Sequence, residues 1–404
     1  MEISIQRAVD VVRTPRVQQL EGMFDVPPSM RSEQTWRHRL DLPSHWNIGV
    51  IVGPSGSGKT TLAREAFGKQ LVDRWPWPLE QSILDGFPAS MGIRDIAGLL
   101  SSVGFSSPPA WVRPYHALSN GEQFRVNIAR TLAEMPELAV VDEFTSVVDR
   151  TVARIGSAAV AKAVRRLERK FVAVTCHYDV IDYLEPDWVY EPHTTKLTLN
   201  RGADGSRGAL WRRPPLALEI HRTTSAAWQL FHTHHYLSSH LHRSAQCYMG
   251  LVEDRPAVFT AVLSFPHPNR PGWREHRTVC LPDFQGIGLG NALSEFIASI
   301  YAATGKNYYS TTSHPSMIRH RSHSPRWKLI RRPSFGGRHA LWQTAWSRLT
   351  ASFVYCGPSR PQEARLFGIK TPLLAHERAQ APASLHPGDP QSEMDSEVGG
   401  TQAA

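Results

Sequence analysis

A glycine-rich segment between an apolar strand and a helix restricts the fold of this chain more than any other feature. The run Asn47–Val52 leads directly into Gly53-Pro54-Ser55-Gly56-Ser57-Gly58-Lys59-Thr60, a complete GxxxxGK[ST] pattern, and a helix-compatible stretch follows. In such a segment backbone N–H groups surround phosphate oxygens, the lysine offsets their charge and the hydroxyl ligates Mg²⁺. The pattern therefore predicts an α/β fold that binds ATP and Mg²⁺. The predicted nucleotide-binding residues are Gly53, Ser55, Gly56, Gly58, Lys59, Thr60 and Thr61, with Thr60 also a metal ligand.

A second apolar strand ends in two carboxylates. Leu138–Val141 is followed by Asp142 and Glu143. A carboxylate at this position holds Mg²⁺ through water, and its neighbour polarises the water that attacks the phosphate. We therefore expect Asp142 to be a metal ligand and Glu143 to be catalytic.

The segment between these two motifs carries a family resemblance. Leu118-Ser119-Asn120-Gly121-Glu122-Gln123 resembles the LSGGQ signature of ABC ATPases, with Asn120 in place of a glycine. Ser146–Asp149 resembles the D-loop of that family, and His177 matches its switch histidine. The resemblance covers about residues 20–200. It implies that Ser119 and Gly121 contact the ATP held by an opposite subunit, that the chain forms a sandwich homodimer, and that His177 is catalytic.

The chain departs from the ABC pattern at the Q-loop, whose glutamine contacts Mg²⁺. Gln81 is the nearest candidate for this metal ligand, but it follows Lys59 more closely than is usual. The aromatic residue that stacks on adenine is also unassigned. Phe24, Trp36 and Trp46 are all candidates, and each is equally compatible with a place in the core.

Composition along the chain predicts two domains. A length of 404 residues exceeds what one core usually serves. Alternating strands and helices predict an ABC-type ATP-binding domain over residues 1–205, and the Gly-, Arg- and Pro-rich segment predicts a linker at 206–215. A second alternating set predicts another α/β domain with a mixed sheet at 216–375. Residues 376–404 have few large apolar side chains and predict a disordered tail.

The second domain contains a further glycine-rich turn. Gln285-Gly286-Ile287-Gly288-Leu289-Gly290 follows a strand and precedes a helix predicted from Asn291 to Ala303. It resembles the Q/RxxGxG/A motif of GNAT acetyltransferases, which implies that Gln285, Gly286, Gly288 and Gly290 bind the pyrophosphate of acetyl-CoA. A dinucleotide-binding loop is the rival, but it requires an acidic ribose ligand about 20 residues on, where this sequence has Asn307–Pro315. A degenerate, non-catalytic copy remains an alternative.

An acetyltransferase needs a base for the incoming amine and an acid for the leaving thiolate. Glu275 is the candidate base, and the acid candidates are Tyr308, Tyr309 and Ser313. Each of these side chains is also compatible with ordinary packing. A helix is predicted over residues 226–237, with His234 and His235 among several nearby histidines. Metal binding there is the less favoured interpretation, because no complete ligand pattern is present.

The positive charge indicates anionic partners. The net charge is +9, and the cations of residues 319–338 surround Trp327. These residues suggest DNA or RNA binding, in which Trp327 stacks on a base, although a solvated basic face is an equally plausible interpretation. The lack of a long apolar run or leader predicts a cytoplasmic protein with no membrane segment of its own.

Two functional hypotheses follow. In the first, the ATPase drives a GNAT-like N-acyltransferase that modifies nucleic acid. In the second, the chain is a non-transferase ABC machine with a regulatory or binding role, or the ATP-binding subunit of a transporter.

Overall fold

The computed structural model describes residues 1–200, 208, 210–235, 240–335 and 349–372. These residues form two β-sheets with flanking helices, one in each half of the chain, and a separate two-stranded ribbon. The predicted tail at 376–404, Tyr236 of the histidine-rich segment and residues 206, 207 and 209 of the predicted linker lie outside the described residues. The predicted domain boundaries therefore stay predictions.

The first half contains strands and helices in alternation. Its strands are β1 (Glu2–Asp10), β2 (Arg31–Arg39), β3 (Ile48–Val52), β4 (Leu71–Val72), β5 (Leu138–Val141), β6 (Lys170–Thr175), β7 (Trp188–Glu191) and β8 (Lys196–Leu199). Its helices are α1 (Pro15–Phe24), α2 (Lys59–Phe67), α3 (Ile93–Ser102), α4 (Pro108–Trp111), α5 (Asn120–Glu134), α6 (Arg150–Arg166) and α7 (Ile181–Leu184).

The first sheet has the strand order β4-β5-β6-β3-β7-β8 and is parallel except at the β7–β8 edge. Its central strand β3 is buried along its whole length, as expected for a parallel sheet whose two faces are both covered by other elements. Strands β1 and β2 form a separate antiparallel ribbon, which reaches this core through the buried Ile5 and Leu40.

The second half contains the strands β9 (Glu219–Thr223), β10 (Gln246–Val252), β11 (Arg255–Phe265), β12 (Gly272–Cys280), β13 (Asn307–Thr312), β14 (Trp327–Phe335) and β15 (Leu349–Tyr355). Its helices are α8 (Leu289–Ala302), α9 (Pro315–His323) and α10 (Pro361–Leu366). The sheet order is β9-β10-β11-β12-β13-β15-β14. Strands β12 and β13 pair in parallel, with α8 as their crossover, and their register covers only Gly272–Arg274 against Asn307–Tyr309. The two strands therefore separate toward their carboxyl ends.

Two sequence predictions in the second half are confirmed. Strands β10 and β11 form the expected hairpin, whose two-residue turn places Glu253 and Asp254 at positive φ (49° and 60°). That pair of left-handed residues is the geometry of a type I′ turn. Helix α8 begins and ends close to the predicted limits.

The helix predicted over residues 226–237 is wrong. The described part forms two 3₁₀ turns, Ser225–Leu230 and His232–His234. Trp228 and Phe231 are both buried against Phe259, so packing fixes the backbone of a segment whose aromatic and histidine residues are weak helix formers.

The two halves pack directly against each other. The 3₁₀ turn Pro282–Phe284 of the second half lies on α5 and α6, and α9 contacts α3. Ile155 of α6 is part of the apolar cluster that contains Phe284 and the core face of α8. Within the described part of the chain, no helix is long and apolar enough to cross a membrane.

Candidate active site

The predicted ATPase residues follow three neighbouring strands of the first sheet. Strand β3 leads into Gly53, β5 into Asp142, and β6 into Cys176 and His177, and β6 lies between the other two. Because these strands are parallel, their carboxyl ends lie at one edge, where α/β sheets bind ligands. The fold thus brings together the glycine-rich segment, Asp142, Glu143 and His177 at one edge of the sheet.

The glycine-rich segment forms an open cradle. Gly56 and Gly58 have φ values of 79° and 81°, and a Cβ built on either would meet no atom within 4 Å. Lys59 lies at the start of α2 and donates from Nζ to the Pro54 carbonyl at 2.8 Å. The Ser57 hydroxyl is buried without a hydrogen-bond partner among the described residues. Space above the loop and an unsatisfied polar atom inside it both fit a bound phosphate.

The two carboxylates occupy a tight turn after β5. Glu143 and Thr145 have φ values of 51° and 68°, a left-handed conformation that is unfavourable for side chains of this size. The turn is held by hydrogen bonds from Glu143 N to Asp142 Oδ1 (2.9 Å) and from Phe144 N to the Val174 carbonyl (2.9 Å). Backbone strain of this kind often marks functional positions. The roles of Asp142 and Glu143 stay predictions.

His177 lies in the electrostatic neighbourhood of Glu143. Burial is the main cause that lowers its pKa, and the Arg150 guanidinium acts in the same direction, while Asp179 and Glu143 act against it. Its Nδ1 atom is buried and has no hydrogen-bond partner among the described residues. A neutral imidazole with an open ring nitrogen is suited to contact a phosphate oxygen or a water molecule.

The signature segment forms the N-terminus of α5. Ser119 and Glu122 make a capping box, in which the Ser119 hydroxyl accepts from Glu122 N at 3.3 Å and the Glu122 carboxylate accepts from Ser119 N at 2.9 Å. A Cβ on Gly121 would lie 3.2 Å from Val152 and 3.6 Å from the Asp283 carboxylate. The second half therefore reaches the edge of the signature segment.

The structure gives the surroundings of the candidates for the Q-loop glutamine and for the adenine-stacking residue. Gln81 is exposed just before a 3₁₀ turn at Ile83–Gly86. Phe24 is 69% exposed, whereas Trp36 is half-buried and Trp46 packs edge-on against Trp188 with ring centroids 5.4 Å apart. Trp46 thus behaves as a core residue, and the role of Gln81 stays a prediction.

Gln285 lies where the two halves meet. Its Oε1 accepts from Ser106 N at 2.6 Å, and its Nε2 donates to Ser107 Oγ at 3.1 Å and to the Cys280 carbonyl at 2.8 Å. The Gln285 side chain therefore fixes the second half to the first, which differs from the expectation that it binds a pyrophosphate. Ser106 and Ser107 lie about 180 positions away in the sequence, so the local motif gave no sign of this contact.

Arg125 of α5 strengthens the same junction. It donates to the carbonyls of Val103 (3.0 Å), Gln285 (3.2 Å) and Asp283 (3.1 Å). Its side chain is buried, and burial lowers its pKa to about 10, although nearby Asp283 acts in the opposite direction. No feature of the sequence alone distinguished this residue from Arg130, the other arginine of the helix.

The glycines of the second motif have different environments. A Cβ on Gly286 would lie 2.6 Å from Ala159 Cβ and 2.7 Å from Gly104 Cα, so Gly286 allows close packing between the halves. Gly288 has a φ of 102° and open space where a Cβ would be, and Gly290 has no atom closer than 4.0 Å. Gly288 and Gly290 therefore leave room for a ligand, whereas Gly286 does not.

These two glycines face a cleft between the halves with a volume of about 400 Å³. The second half contributes the end of β12, the start of α8 and part of α9, and the first half contributes α3 and α6. Five histidines line the cleft together with cations from both halves. The sequence has no local signal for this contribution of the first half, because it depends on how two separate sheets pack.

Glu275 is engaged in a buried network. Its carboxylate accepts from Arg321 Nη2 at 2.9 Å, from Thr278 Oγ1 at 2.5 Å and from the Ser310 hydroxyl. Burial acts to raise its pKa, but the Arg321 guanidinium and these hydroxyl groups outweigh burial and lower it. An ionised carboxylate held by three donors is poorly suited to take a proton from an amine, so the geometry favours a structural role over the expected role as base.

The candidate acids occupy separate environments. Tyr308 is buried, and burial raises the pKa of its hydroxyl well above the ordinary value. Tyr309 accepts from Asn307 Nδ2 at 3.0 Å and packs against Phe265, and it does not line the cleft. Ser313 lies between Thr312 and His314, which do line it. The geometry therefore gives no support to Tyr309 as the acid.

The structure also bears on the suggested base-stacking role of Trp327 and on the less favoured interpretation of a metal site at the histidines. Trp327 is buried, with the Arg321 guanidinium 4.4 Å above its ring centre, so it is not available to stack on a base. Arg326 is paired with Glu295. Within the described ranges, no group of three or more His, Cys, Asp and Glu side chains is arranged to hold a metal ion. His234 and His235 instead line the cleft.

Comparison with known proteins gives a partial likeness. No protein-family model matches the chain. It is 33% identical over 147 residues to the Fe(3+) ions import ATP-binding protein FbpC of Streptomyces coelicolor, covering 28% of this chain and 41% of that protein. It is 36% identical over 154 residues to the protein of the same name from Pseudomonas fluorescens, covering 29% and 42%. The zinc import ATP-binding protein ZnuC 1 of Hahella chejuensis is 30% identical over 137 residues, covering 30% and 52%. The chain thus spans about half or less of each relative.

Proposed function

We propose that this chain, whose N-terminal half contains an ABC-type nucleotide-binding domain, uses that domain to bind ATP with Mg²⁺ and to hydrolyse it. The observation that carries the proposal is the convergence of the Gly53–Thr61 segment, the Asp142-Glu143 pair and His177 at the carboxyl edge of three adjacent strands. The likeness to proteins named as ATP-binding supports the same activity.

Each residue type has a role that follows from its chemistry. Lys59 offsets phosphate charge at the start of α2, and Thr60 and Asp142 have the oxygen ligands that Mg²⁺ prefers. Mg²⁺ held by these oxygens would neutralise phosphate charge. Glu143 polarises the attacking water, and the neutral imidazole of His177 contacts the phosphate or that water.

The first test separates binding from turnover. Lys59→Ala is expected to lose ATP binding, because the phosphate charge is no longer offset. Glu143→Gln is expected to keep binding while its steady-state ATPase rate falls about a hundredfold or more, the usual contribution of a positioned base. Glu137→Gln is the matched control, since Glu137 is exposed and precedes the opposite end of the same strand. Undiminished hydrolysis by the Glu143→Gln protein would show that the catalytic residue is elsewhere.

We propose further that the second half is a GNAT-like domain that takes an acyl-CoA and transfers the acyl group to an amine. Three features support this: the parallel β12–β13 pair that separates at its carboxyl ends, α8 as the crossover between them, and the open approach at Gly288 and Gly290. The test is incubation with labelled acetyl-CoA, ATP and a panel of DNA, RNA and protein acceptors. Transfer of label that is lost in a Gly290→Glu variant is the expected result, and absence of transfer to every acceptor would favour a non-catalytic domain.

A nucleic-acid acceptor is the finer part of this proposal. It rests on the net charge of +9 and on the exposed Arg319, Lys328, Arg331 and Arg332 of α9 and β14. A gel-shift assay over a range of salt concentrations tests it, because binding through phosphates weakens steeply with salt. Lack of any shift at low salt would remove DNA and RNA from the proposal.

A second candidate function comes from the relatives, which are named as ATP-binding proteins of iron and zinc import. In that case the chain supplies ATP hydrolysis to a separate membrane component. This likeness covers no more than 30% of the chain, so it does not extend over both sheets. Acetyl-CoA binding by the purified chain would favour the transferase, and a chain that binds ATP but no acetyl-CoA would favour the import role.

A further inference from the structure

The cleft between the two halves is positively charged in a way that the second motif alone does not explain. Lys162 and Arg166 of α6 and Arg319 of α9 all line it. None of the three has a carboxylate within salt-bridge distance in the described part of the chain. Two of these cations come from the nucleotide-binding half, whereas the Gly288–Gly290 turn belongs to the second half. Both halves of the chain therefore line the cleft.

These cations also disfavour one another. Lys162 and Arg166 are four residues apart on one face of α6, where like charges destabilise a helix. Burial lowers the pKa of Lys162, and Arg166 and Arg213 add to this effect. Burial likewise lowers the pKa of Arg166, and Arg319 across the cleft adds to it. All three side chains are exposed, so an anion can reach them, and an anion bound among them would relieve this repulsion between like charges.

The remaining titratable groups of the cleft do not neutralise this charge. Glu275 is already paired with Arg321. Burial and the neighbouring Arg277, Arg274 and His242 lower the pKa of His276 to about 4, so His276 is neutral at physiological pH. The cleft therefore offers Lys162 and Arg166 from the first half, and Arg319 together with the backbone turn at Gly288–Gly290 from the second.

We propose that this cleft is a composite binding site for a pyrophosphate-bearing small molecule, in which Lys162 and Arg166 of the nucleotide-binding half bind phosphate groups together with the turn of the second half. The volume of about 400 Å³ suits part of a nucleotide-like ligand. Coenzyme A and ADP share this chemistry. The inference rests on the proposed acyl-CoA site and assigns part of that site to the other half of the chain.

The experiment uses the full chain carrying Lys59→Ala, so that the predicted ATP site does not contribute. Isothermal titration with coenzyme A and, separately, with ADP measures binding to the cleft. Lys162→Gln combined with Arg166→Gln is expected to weaken binding about tenfold, because two charge-assisted contacts are lost. Lys69→Gln combined with Lys196→Gln removes the same charge from exposed positions outside the cleft and is expected to leave affinity unchanged.

Each result decides between the two proposals. Unchanged affinity in the Lys162→Gln, Arg166→Gln protein, with loss of binding in Gly290→Glu but not Gly290→Ala, would overturn the composite site and leave the acyl-CoA site in place. Equal binding of ADP and coenzyme A, both lost with Lys162 and Arg166, would support the composite site and contradict the acyl-CoA assignment. No heat with either ligand at millimolar concentration would contradict both. Thermal melting of each variant separates loss of binding from loss of folding.

Discussion

Single side chains decide how the two halves of this molecule meet. Arg125 lies in the signature helix, yet all three of its hydrogen bonds go to backbone carbonyls at the junction, two of them in the second half. With a pKa of about 10 it is still charged at neutral pH, so these carbonyls are needed to solvate it. A buried charge without them would be strongly destabilising.

His276 makes the stability of this region dependent on pH. Its folded pKa is about 4, against 6.5 for an unperturbed histidine, mainly because of burial and then because of Arg277, Arg274 and His242. Its Nε2 accepts from His242 N at 3.3 Å, a bond that only the unprotonated ring makes. A depressed folded pKa stabilises the protein above about pH 6.5, and that stability is lost as the pH falls through about 4.

We therefore predict that His276→Gln reduces the loss of stability on acidification, because glutamine keeps an acceptor but takes up no proton. The free energy of unfolding in urea, measured at about pH 7 and about pH 5, checks this. His116→Gln, at an exposed position, is the control. If the two variants lose the same stability between these pH values, the acid sensitivity has another origin.

One buried ion pair joins two strands and two helices of the second half. Glu275 of β12 and Arg321 of α9 are paired at 2.9 Å, Ser294 of α8 accepts from Arg321 at 2.7 Å, and Ser310 of β13 binds both. The network lies where β12 and β13 begin to separate. The side chains of this network thus fill the gap that opens between β12 and β13 where the two strands stop pairing.

Arg321→Met is predicted to destabilise the protein by about 3–5 kcal/mol, because it leaves the buried Glu275 carboxylate without its cation. Adding Glu275→Gln should recover part of that loss, since the buried charge is then removed as well. Urea unfolding of the single and double variants measures both effects. A double variant as unstable as the sum of the two single variants would mean that the residues act independently.

The sequence predicted those elements that depend on residues close together in the chain. The glycine-rich segment between β3 and α2, the β10–β11 hairpin and α8 each depend on neighbouring residues, and all are present. The roles of Gln285 and Glu275 depend on Ser106 and Arg321, which are distant in sequence. Motif resemblance treated Gln285 as a ligand-binding residue, whereas packing between the halves uses it as a link. The composite cleft was beyond sequence reasoning for the same reason.

Helix α6 connects the predicted ATP site to the cleft. Its N-terminus is capped by Asp149, whose carboxylate accepts from Thr151 N and Val152 N, and its last turns carry Lys162 and Arg166. The same helix also packs on the Pro282–Phe284 turn. A movement of this helix on ATP binding would therefore also shift Lys162 and Arg166 in the cleft.

The resemblance to ABC ATPases also predicts that each ATP site is completed by a second copy of the chain. Asn120 is exposed at the N-terminus of α5, so Asn120→Asp should favour the helix dipole and preserve folding while repelling the partner's phosphate. Lys59→Ala and Asn120→Asp proteins are each expected to be inactive. An equal mixture should regain about a quarter of wild-type ATPase activity, through one intact site in each mixed dimer. No recovery, with mixed dimers demonstrated by cross-linking, would contradict the shared site.

The close approach of Gly104 and Gly286 has a consequence for folding during synthesis on the ribosome. A Cβ on Gly104 would lie 2.6 Å from the Gln285 carbonyl, so the backbones of the two halves meet with no side chain between them. The N-terminal half leaves the ribosome first. Until residues 282–286 emerge, Arg125 and Ala159 lack the contacts that those residues make with them. The nascent chain thus exposes a patch that its later sequence covers, and a premature stop codon in the second half would leave that patch open to chaperones and proteases.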